Sequence, residues 1–384
     1  MSSLKKEAEQ NGLHFPDYKN SNLSIITEMA NKKGIFSKKD KIILILIDAL
    51  GFDLLNKIIN SDKKILKMFD GAEIKKVSSI FPSYTPSVIA SFESGKSIAE
   101  HGIVSGKIPI KEKGSYVNIF DIPWWPKESN SKNENVLLNL FPRPDNLYKM
   151  SKNYKKFYLV THEGIWKKNL NSDAAEKING VPYISFQDMV IQTKKLIKKG
   201  SGFIYAYTDI IDHAQHVYAN SYETFELTRL AIRDLFEVLT QAKRDGYYLV
   251  ITADHGQVSL SKKNTLRIRP DSDIMRFVSM PPWGSRAVFM DVMPSMFERF
   301  EKFFEKKYEK NFILWNSENA IKEGLFGKTA VTDNMRNRFG THIAVPKYSS
   351  GGMFFSFSQL KNNMPGHHGG LNKEEMEVPL AIFE

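Results

Sequence analysis

The chain has 384 residues, of which 42% are hydrophobic, with a net charge of +11 and no cysteine. That length and apolar content suit either two average domains or one large α/β domain with an insertion, and exclude a disordered chain. Without cysteine there is no disulfide, thiolate ligand or cysteine nucleophile, so a metal must be held by His, Asp, Glu and hydroxyl groups.

The isoelectric point near 9.3 would suit a polyanionic partner. The lysines, however, are scattered as short pairs and form no stripe with interleaved aromatics, so they read as a solvated surface that steers anionic substrates. Residues 1–20 are polar, and no apolar run reaches the length of a membrane span. The expectation is a soluble cytoplasmic protein with a small substrate, no membrane and no stable nucleic-acid complex.

In chain order, residues 1–40 read as an N-terminal helical extension with a short amphipathic helix around Leu23–Met29. Lys41–Ile47 is an unbroken β-branched and leucine run, the signature of a strand buried on both faces, and it ends in Asp48-Ala-Leu-Gly51. Loops at the carboxyl ends of such strands carry the ligand sites of open α/β sheets. Asp48 is therefore a candidate site carboxylate; the competing reading is a cap for the helix predicted over Phe52–Ile59.

Ile74–Ile80 reads as a second strand and runs into Phe81-Pro-Ser-Tyr-Thr-Pro-Ser87. The pattern places Thr85 as an N-cap, Pro86 at the first helical position and Gly95 as the stop. A hydroxyl there lies beside unpaired amides and the positive end of the helix dipole, which suits a nucleophile meeting a phosphate as well as it suits a cap. Residues 107–155 contain too many breakers for regular core elements and are expected to lie as a loop over the Asp48 and Thr85 face. Trp124 and Trp125 in it would stack on substrate or pack the loop itself.

Lys156–Val160 reads as a strand, Phe186–Lys199 as a helix and Gly202–Thr208 as another buried strand. The last of these discharges into Asp209-Ile-Ile-Asp212-His213-Ala-Gln-His216, in which Asp209/His213 and Asp212/His216 both have a spacing that puts carboxylate and imidazole on one side of a turn. A helix predicted over Tyr222–Lys243 has an apolar face of Phe225, Ile232, Leu235, Phe236 and Leu239. The strand Tyr247–Thr252 then delivers Asp254 and His255. Residues 257–365 read as an inserted α+β subdomain, with strands at Ser285–Met290 and His342–Val345 and a helix near Pro294–Lys307. Gly366-His367-His368-Gly369-Gly370 is a ligand-presenting loop before a closing strand, Glu377–Phe383.

Acids and imidazoles thus arrive from separate strand ends. Such a mixture of hard oxygen and imidazole donors suits Zn²⁺, with Mn²⁺ as the alternative, and there are enough of them for two ions. Two ions ~4 Å apart clamp an in-line displacement at phosphorus.

The ordered set of Asp48, the Phe81-Pro-x-x-Thr85-Pro segment, His101-Gly102, Asp212-x-x-x-His216, Ala253-Asp254-His255-Gly256 and His368-Gly-Gly370 resembles the alkaline phosphatase superfamily, and within it the type I phosphodiesterase/nucleotide pyrophosphatase branch. The resemblance implies an alkaline-phosphatase-like α/β sandwich with a mostly parallel central sheet flanked by helices. It implies a hydrolase core at 41–256 and 366–384 and a cap at 257–365. One metal would be held by Asp212, His216 and His368, the other by Asp48, Thr85, Asp254 and His255, and Thr85 would attack phosphorus to give a phosphothreonine. The family context selects Asp212/His216 over Asp209/His213 and His368 over His367. Pro86 stands where nucleotide-hydrolysing relatives carry an aromatic residue, and Ser105, Gly106 or Lys107 where they carry a phosphate-contacting asparagine. The expected function is a two-metal phosphodiesterase acting on a small, nucleotide-containing or other phosphate ester. The alternatives are a phosphomonoesterase or phosphonate hydrolase on the same scaffold and a non-catalytic binding module for phosphorylated polymers. A sulfatase is excluded, because Thr85-Pro86-Ser87-Val88 lacks both the convertible residue and the arginine.

Overall fold

The computed structural model describes residues 3–111, 114–122, 140–169, 175, 177–284, 286–355 and 364–384. A seven-stranded sheet organises it. In chain order its strands are β1 (Ile42–Ile47), β2 (Glu73–Ser78), β3 (Phe157–His162), β4 (Asn179–Tyr183), β5 (Phe203–Thr208), β6 (Tyr248–Thr252) and β7 (Glu377–Phe383). Across the sheet they run β2-β7-β6-β1-β5-β3-β4. The pairings β6-β1-β5-β3-β4 are parallel, and β7 is antiparallel to both neighbours. Every residue of β1 is fully buried, which is why its sequence is a continuous apolar run and not an alternating one.

Helices cover the sheet in two groups. Phe52–Ser61, Phe186–Lys198, Tyr222–Asp234 and Phe236–Arg244 form one; Asn22–Ala30, Thr85–Ser94 and Asp145–Asn153 pack on one another as the second. No helix among the described residues is long and apolar enough to cross a membrane.

Several expectations are corrected. The helix predicted over Tyr222–Lys243 breaks at Leu235, and Phe236, placed on its apolar face by periodicity, is exposed because the second piece starts a new turn phase. The excursion after residue 107 is not irregular throughout: Lys107–Ile110 and Ser115–Asn118 form a hairpin, and Asp145–Asn153 is a helix that starts directly after Pro144. Trp124 and Trp125 lie outside the described residues.

The segment expected to form an inserted subdomain begins and ends where Val258–Ser259 pairs with Gly366–His367. It carries an antiparallel four-stranded sheet in the order Trp283–Gly284, Val288–Met290, His342–Pro346, Phe312–Asn316, covered by the helix Phe297–Tyr308. Alternation within those strands splits their side chains. Val288, Met290 and Ala344 join a small cluster with Phe300 and Phe304, whereas Phe289, Ile313 and Ile343 join the main core.

A fully buried ion pair fastens this segment to the chain's C-terminal stretch. The Arg286 guanidinium donates to both Glu375 oxygens at 3.0 and 2.8 Å and also reaches Asn372, while Gly370 N–H donates to Glu375 at 2.9 Å. Removing one member of such a pair leaves an uncompensated charge in the interior, so Arg286→Ala should destabilise the fold by about 3–5 kcal/mol. A urea midpoint within error of the unsubstituted chain would show that Glu375 finds another partner.

Candidate active site

Strand ends deliver the reactive groups to one place. Asp48 follows β1 and does not cap the next helix: the N-cap there is Gly51, and the Asp48 carboxylate instead accepts from Tyr207 O–H at 2.6 Å. Ala49 beside it holds the left-handed region at φ 61°, a conformation that costs energy for a residue with a Cβ and marks a backbone held for a purpose. Its amide donates to Asp254 at 3.2 Å.

Thr85 is the first residue of its helix and not the N-cap; that place falls to Tyr84, whose backbone is extended and whose side chain makes no capping bond. The Thr85 hydroxyl is therefore free of a capping role. It lies 2.9 Å from His255 Nε2 and 3.5 Å from Asp48 Oδ1.

The Asp209–His216 segment forms a helix, Ile210–Tyr218, which sequence reasoning left as a turn because it is short and polar. Asp212 and His216 share its inward side, with His216 Nε2 3.3 Å from Asp212 Oδ1. His368 Nε2 lies 3.5 Å from the same oxygen. Asp209 and His213 are exposed, and Asp209 makes no side-chain cap. His367 sits beside His216 and Phe354, with burial lowering its pKa to about 3. His101 of the His-Gly pair is buried elsewhere, bonded to Ser91 and the Ile103 amide.

The three imidazoles are held by one device. His216 Nδ1 faces Gly366 O at 2.9 Å, His255 Nδ1 faces Gly256 O at 3.0 Å and His368 Nδ1 faces Ser83 O at 3.1 Å. An Nδ1–H donated to a carbonyl leaves the Nε2 lone pair pointing inward, the arrangement metal-ligating histidines adopt. The backbone after His255 is closely packed: a Cβ at Gly256 would lie 2.0 Å from Glu374 O.

Two groups of donor atoms result, Asp48/Asp254/His255 and Asp212/His255/His368, each with its atoms within 4.8 Å of one another. His255 stands in both, its ring stacked on His368 at 3.9 Å. Burial, reinforced by the neighbouring carboxylates, pushes the Asp48 and Asp212 carboxyls well above their usual range. Burial and the adjacent imidazoles push His368 well below its own. Asp212 Oδ1 and Asp254 Oδ2 are buried and have no hydrogen-bond partner among the described residues. Unpaired buried acceptors beside inward-facing imidazoles are costly unless a cation satisfies them, so these residues fit a divalent-metal centre.

Sequence reasoning missed the supporting residues. Tyr207 reads as one more apolar position of β5. Asn22, assigned no chemistry, is fully buried and donates to the carbonyls of Ala253 and Asp254, both at 2.9 Å. An asparagine within an apolar helix pattern was the only available signal.

Residues 42–277 match the family described as type I phosphodiesterase / nucleotide pyrophosphatase. No curated protein matches. Among solved structures the chain is similar to murine ectonucleotide pyrophosphatase / phosphodiesterase 5, with a TM-score of 0.64 and 14% identity over 89% of this chain and 87% of that one. It is also similar to phosphonoacetate hydrolase from Sinorhizobium meliloti 1021 in complex with phosphonoformate, with a TM-score of 0.65 and 15% identity over 90% of each. At such identities these likenesses speak for the fold, which is that of the alkaline phosphatase superfamily. The family match across the sheet and its strand-end acids carries more: the chain belongs to the type I phosphodiesterase/nucleotide pyrophosphatase family and is a phosphoester hydrolase.

Proposed function

We propose that the protein is a two-metal phosphodiesterase in which Thr85 attacks phosphorus. The convergence of Asp48, Asp212, Asp254 and the Nε2 atoms of His216, His255 and His368 around the Thr85 hydroxyl carries this reading. Two divalent cations held there, Zn²⁺ or Mn²⁺, would lower the pKa of that hydroxyl and offset phosphoryl charge. The Oγ1–P bond forms as the bond from phosphorus to the leaving oxygen breaks, giving a phosphothreonine that water then hydrolyses. In the first turn of the helix that Thr85 opens, Pro86 has no N–H and the Ser87 and Val88 amides donate to Tyr84 O at 2.9 and 3.0 Å, so the Thr85 amide is the one that would meet a phosphoryl oxygen. Tyr207 fixes the orientation of Asp48 from behind.

The Thr85 cavity encloses about 450 Å³ and also holds Lys168, whose ammonium donates to Phe120 O at 2.8 Å. Lys168 offers a cation to a substrate carboxylate, which favours a phosphonate hydrolase as the second reading. Hydrolysis of bis-p-nitrophenyl phosphate, p-nitrophenyl phosphate and phosphonoacetate by Zn²⁺- or Mn²⁺-loaded protein separates the two. The diester should be cleaved fastest, and nucleotide-containing diesters are then the class to screen. Faster release of phosphate from phosphonoacetate would replace this assignment with the second.

A further inference from the structure

Lysine pairs that lie far apart along the chain are gathered at one edge of the main sheet. Asp48 and Asp254 follow the carboxyl ends of β1 and β6, whereas the opposite edge is built by the segments that enter the parallel strands. Lys38, Lys39 and Lys41 enter β1, and Lys155 and Lys156 enter β3. The entries to β4, β5 and β6 add Lys177, the pair Lys198–Lys199, and Lys243 with Arg244. All of these except Lys39 are exposed. Backbone bonds stitch the entries side by side: Tyr248 N–H donates to Lys41 O at 2.9 Å, Ile42 N–H to Gly202 O at 2.8 Å and Gly202 N–H to Lys155 O at 2.7 Å. A Cβ at Gly202 would lie 2.1 Å from Lys155 O, so glycine there is what brings two lysine-bearing segments into contact.

Acids do not neutralise this edge. Asp40, Asp245 and Glu384 are already met by Lys32, Arg244 and Lys39. Only the corner at the entry to β2 is mixed, with Glu73 paired to Lys75 at 2.6 Å. Lys38, Lys155, Lys198 and Lys199 have no carboxylate partner among the described residues. Lys198, Lys243 and Arg244 stand in the last turns of their helices, and the helix dipole accounts for them. It does not account for the groups before β1 and β3, which stand outside any helix. Lys156 even holds the left-handed region at φ 59°.

An apolar tip projects from the same edge. Ile35, between Lys33 and Lys38, is 51% exposed. Its segment is pinned on either side, by Phe36 against the Tyr248 ring at 5.9 Å and by Lys32 over the Tyr154 ring at 4.9 Å.

We propose that this edge docks on an anionic lipid surface, with the lysines facing the headgroups and Ile35 entering the interfacial layer. Clustered cations around a protruding apolar side chain are what such a surface attracts and then retains. A nucleic acid fits less well. The cations are lysines in every case but Arg244, point charges without the bidentate fork that reads phosphates and base edges. Tyr154, Tyr247 and Tyr248 are buried beneath Lys32, Lys41 and Lys39 and leave no ring face for a base. Docked this way, the protein holds the Asp48 end of β1 about 20 Å further from the lipid and open to solvent. The inference is independent of the phosphodiesterase reading.

The test is co-sedimentation of the full chain with vesicles of phosphatidylcholine, with and without about 30% phosphatidylserine, at about 0.15 M salt. The protein should pellet only with the anionic vesicles. Replacing Lys38, Lys155 and Lys198 together by Gln should weaken binding about a hundredfold. The same charge loss at Lys306, Lys310 and Lys328, exposed residues of the segment between Ser259 and Gly366, should weaken it far less. Ile35→Ser, which keeps every charge, should weaken it about fivefold and guards against a misfolded triple variant. Equal binding to neutral vesicles, or equal losses in the two triple variants, overturns the proposal. Tighter binding of a short DNA duplex than of the anionic vesicles, lost in the first triple variant, assigns the edge to nucleic acid and overturns it as well.

Discussion

Under the proposed mechanism, Thr85→Ala should lower phosphodiester turnover at least about 10³-fold, which corresponds to about 4 kcal/mol of transition-state stabilisation. The reason is geometric. Among the described residues the Thr85 hydroxyl is the one alcohol in hydrogen-bond reach of both Asp48 and His255, so under the proposed mechanism no neighbour would replace it as the group bonded to phosphorus. Bound metal, by contrast, should stay near its unsubstituted level, because three carboxylates and three imidazoles remain. Elemental analysis beside the rate measurement makes the distinction. Loss of metal together with activity would make Thr85 a structural ligand, and retained activity would mean that water, not the side chain, attacks.

Removing divalent cations should abolish turnover, and restoring Zn²⁺ or Mn²⁺ should recover it. Full activity in protein shown to be metal-free would contradict the proposed chemistry. A second readout is thermal. At a hundredfold excess over Kd each ion adds about 2.7 kcal/mol, or about 3 °C in Tm for a chain of this length.

The pH dependence of that gain has a definite sign. Burial raises the Asp48 and Asp212 carboxyls, so the folded metal-free protein holds protons there that the unfolded chain releases above about pH 4. Its stability accordingly falls as pH rises from that value through the raised folded pKa. Burial lowers His216 and His368, which are thus already neutral in the folded state and have no proton to yield. An incoming cation displaces protons from the carboxyls, so the metal-induced rise in Tm should be larger at pH 8 than at pH 5.5. A rise of equal size at both would show that the carboxylates are not the ligands.

What the sequence revealed follows from where each signal lives. β1 was legible because burial on both faces demands an unbroken apolar run. β7 was legible in its residues but not in its antiparallel direction, which pairing across the sheet decides. The acids and imidazoles stood out because such groups at strand ends have no packing use. Tyr207 did not, since a tyrosine inside an apolar strand looks like core until the oxygen it meets is known. The break at Leu235 was hidden for a similar reason: residues on both sides form helix readily, and only packing sets the phase of each piece. Thr85 was assigned to the cap by local pattern, and the one-residue shift to Tyr84 depends on backbone angles that sequence does not display.

The bond from Asn22 to the carbonyls of Ala253 and Asp254 bears on how the protein is handled in the laboratory. An N-terminal truncation placed where the family similarity starts, at residue 42, would discard the helix that carries Asn22. The shortened chain would keep every proposed ligand and lose the strut that holds the backbone of one of them. Loss of function in such a fragment would then be an artefact of where it was cut.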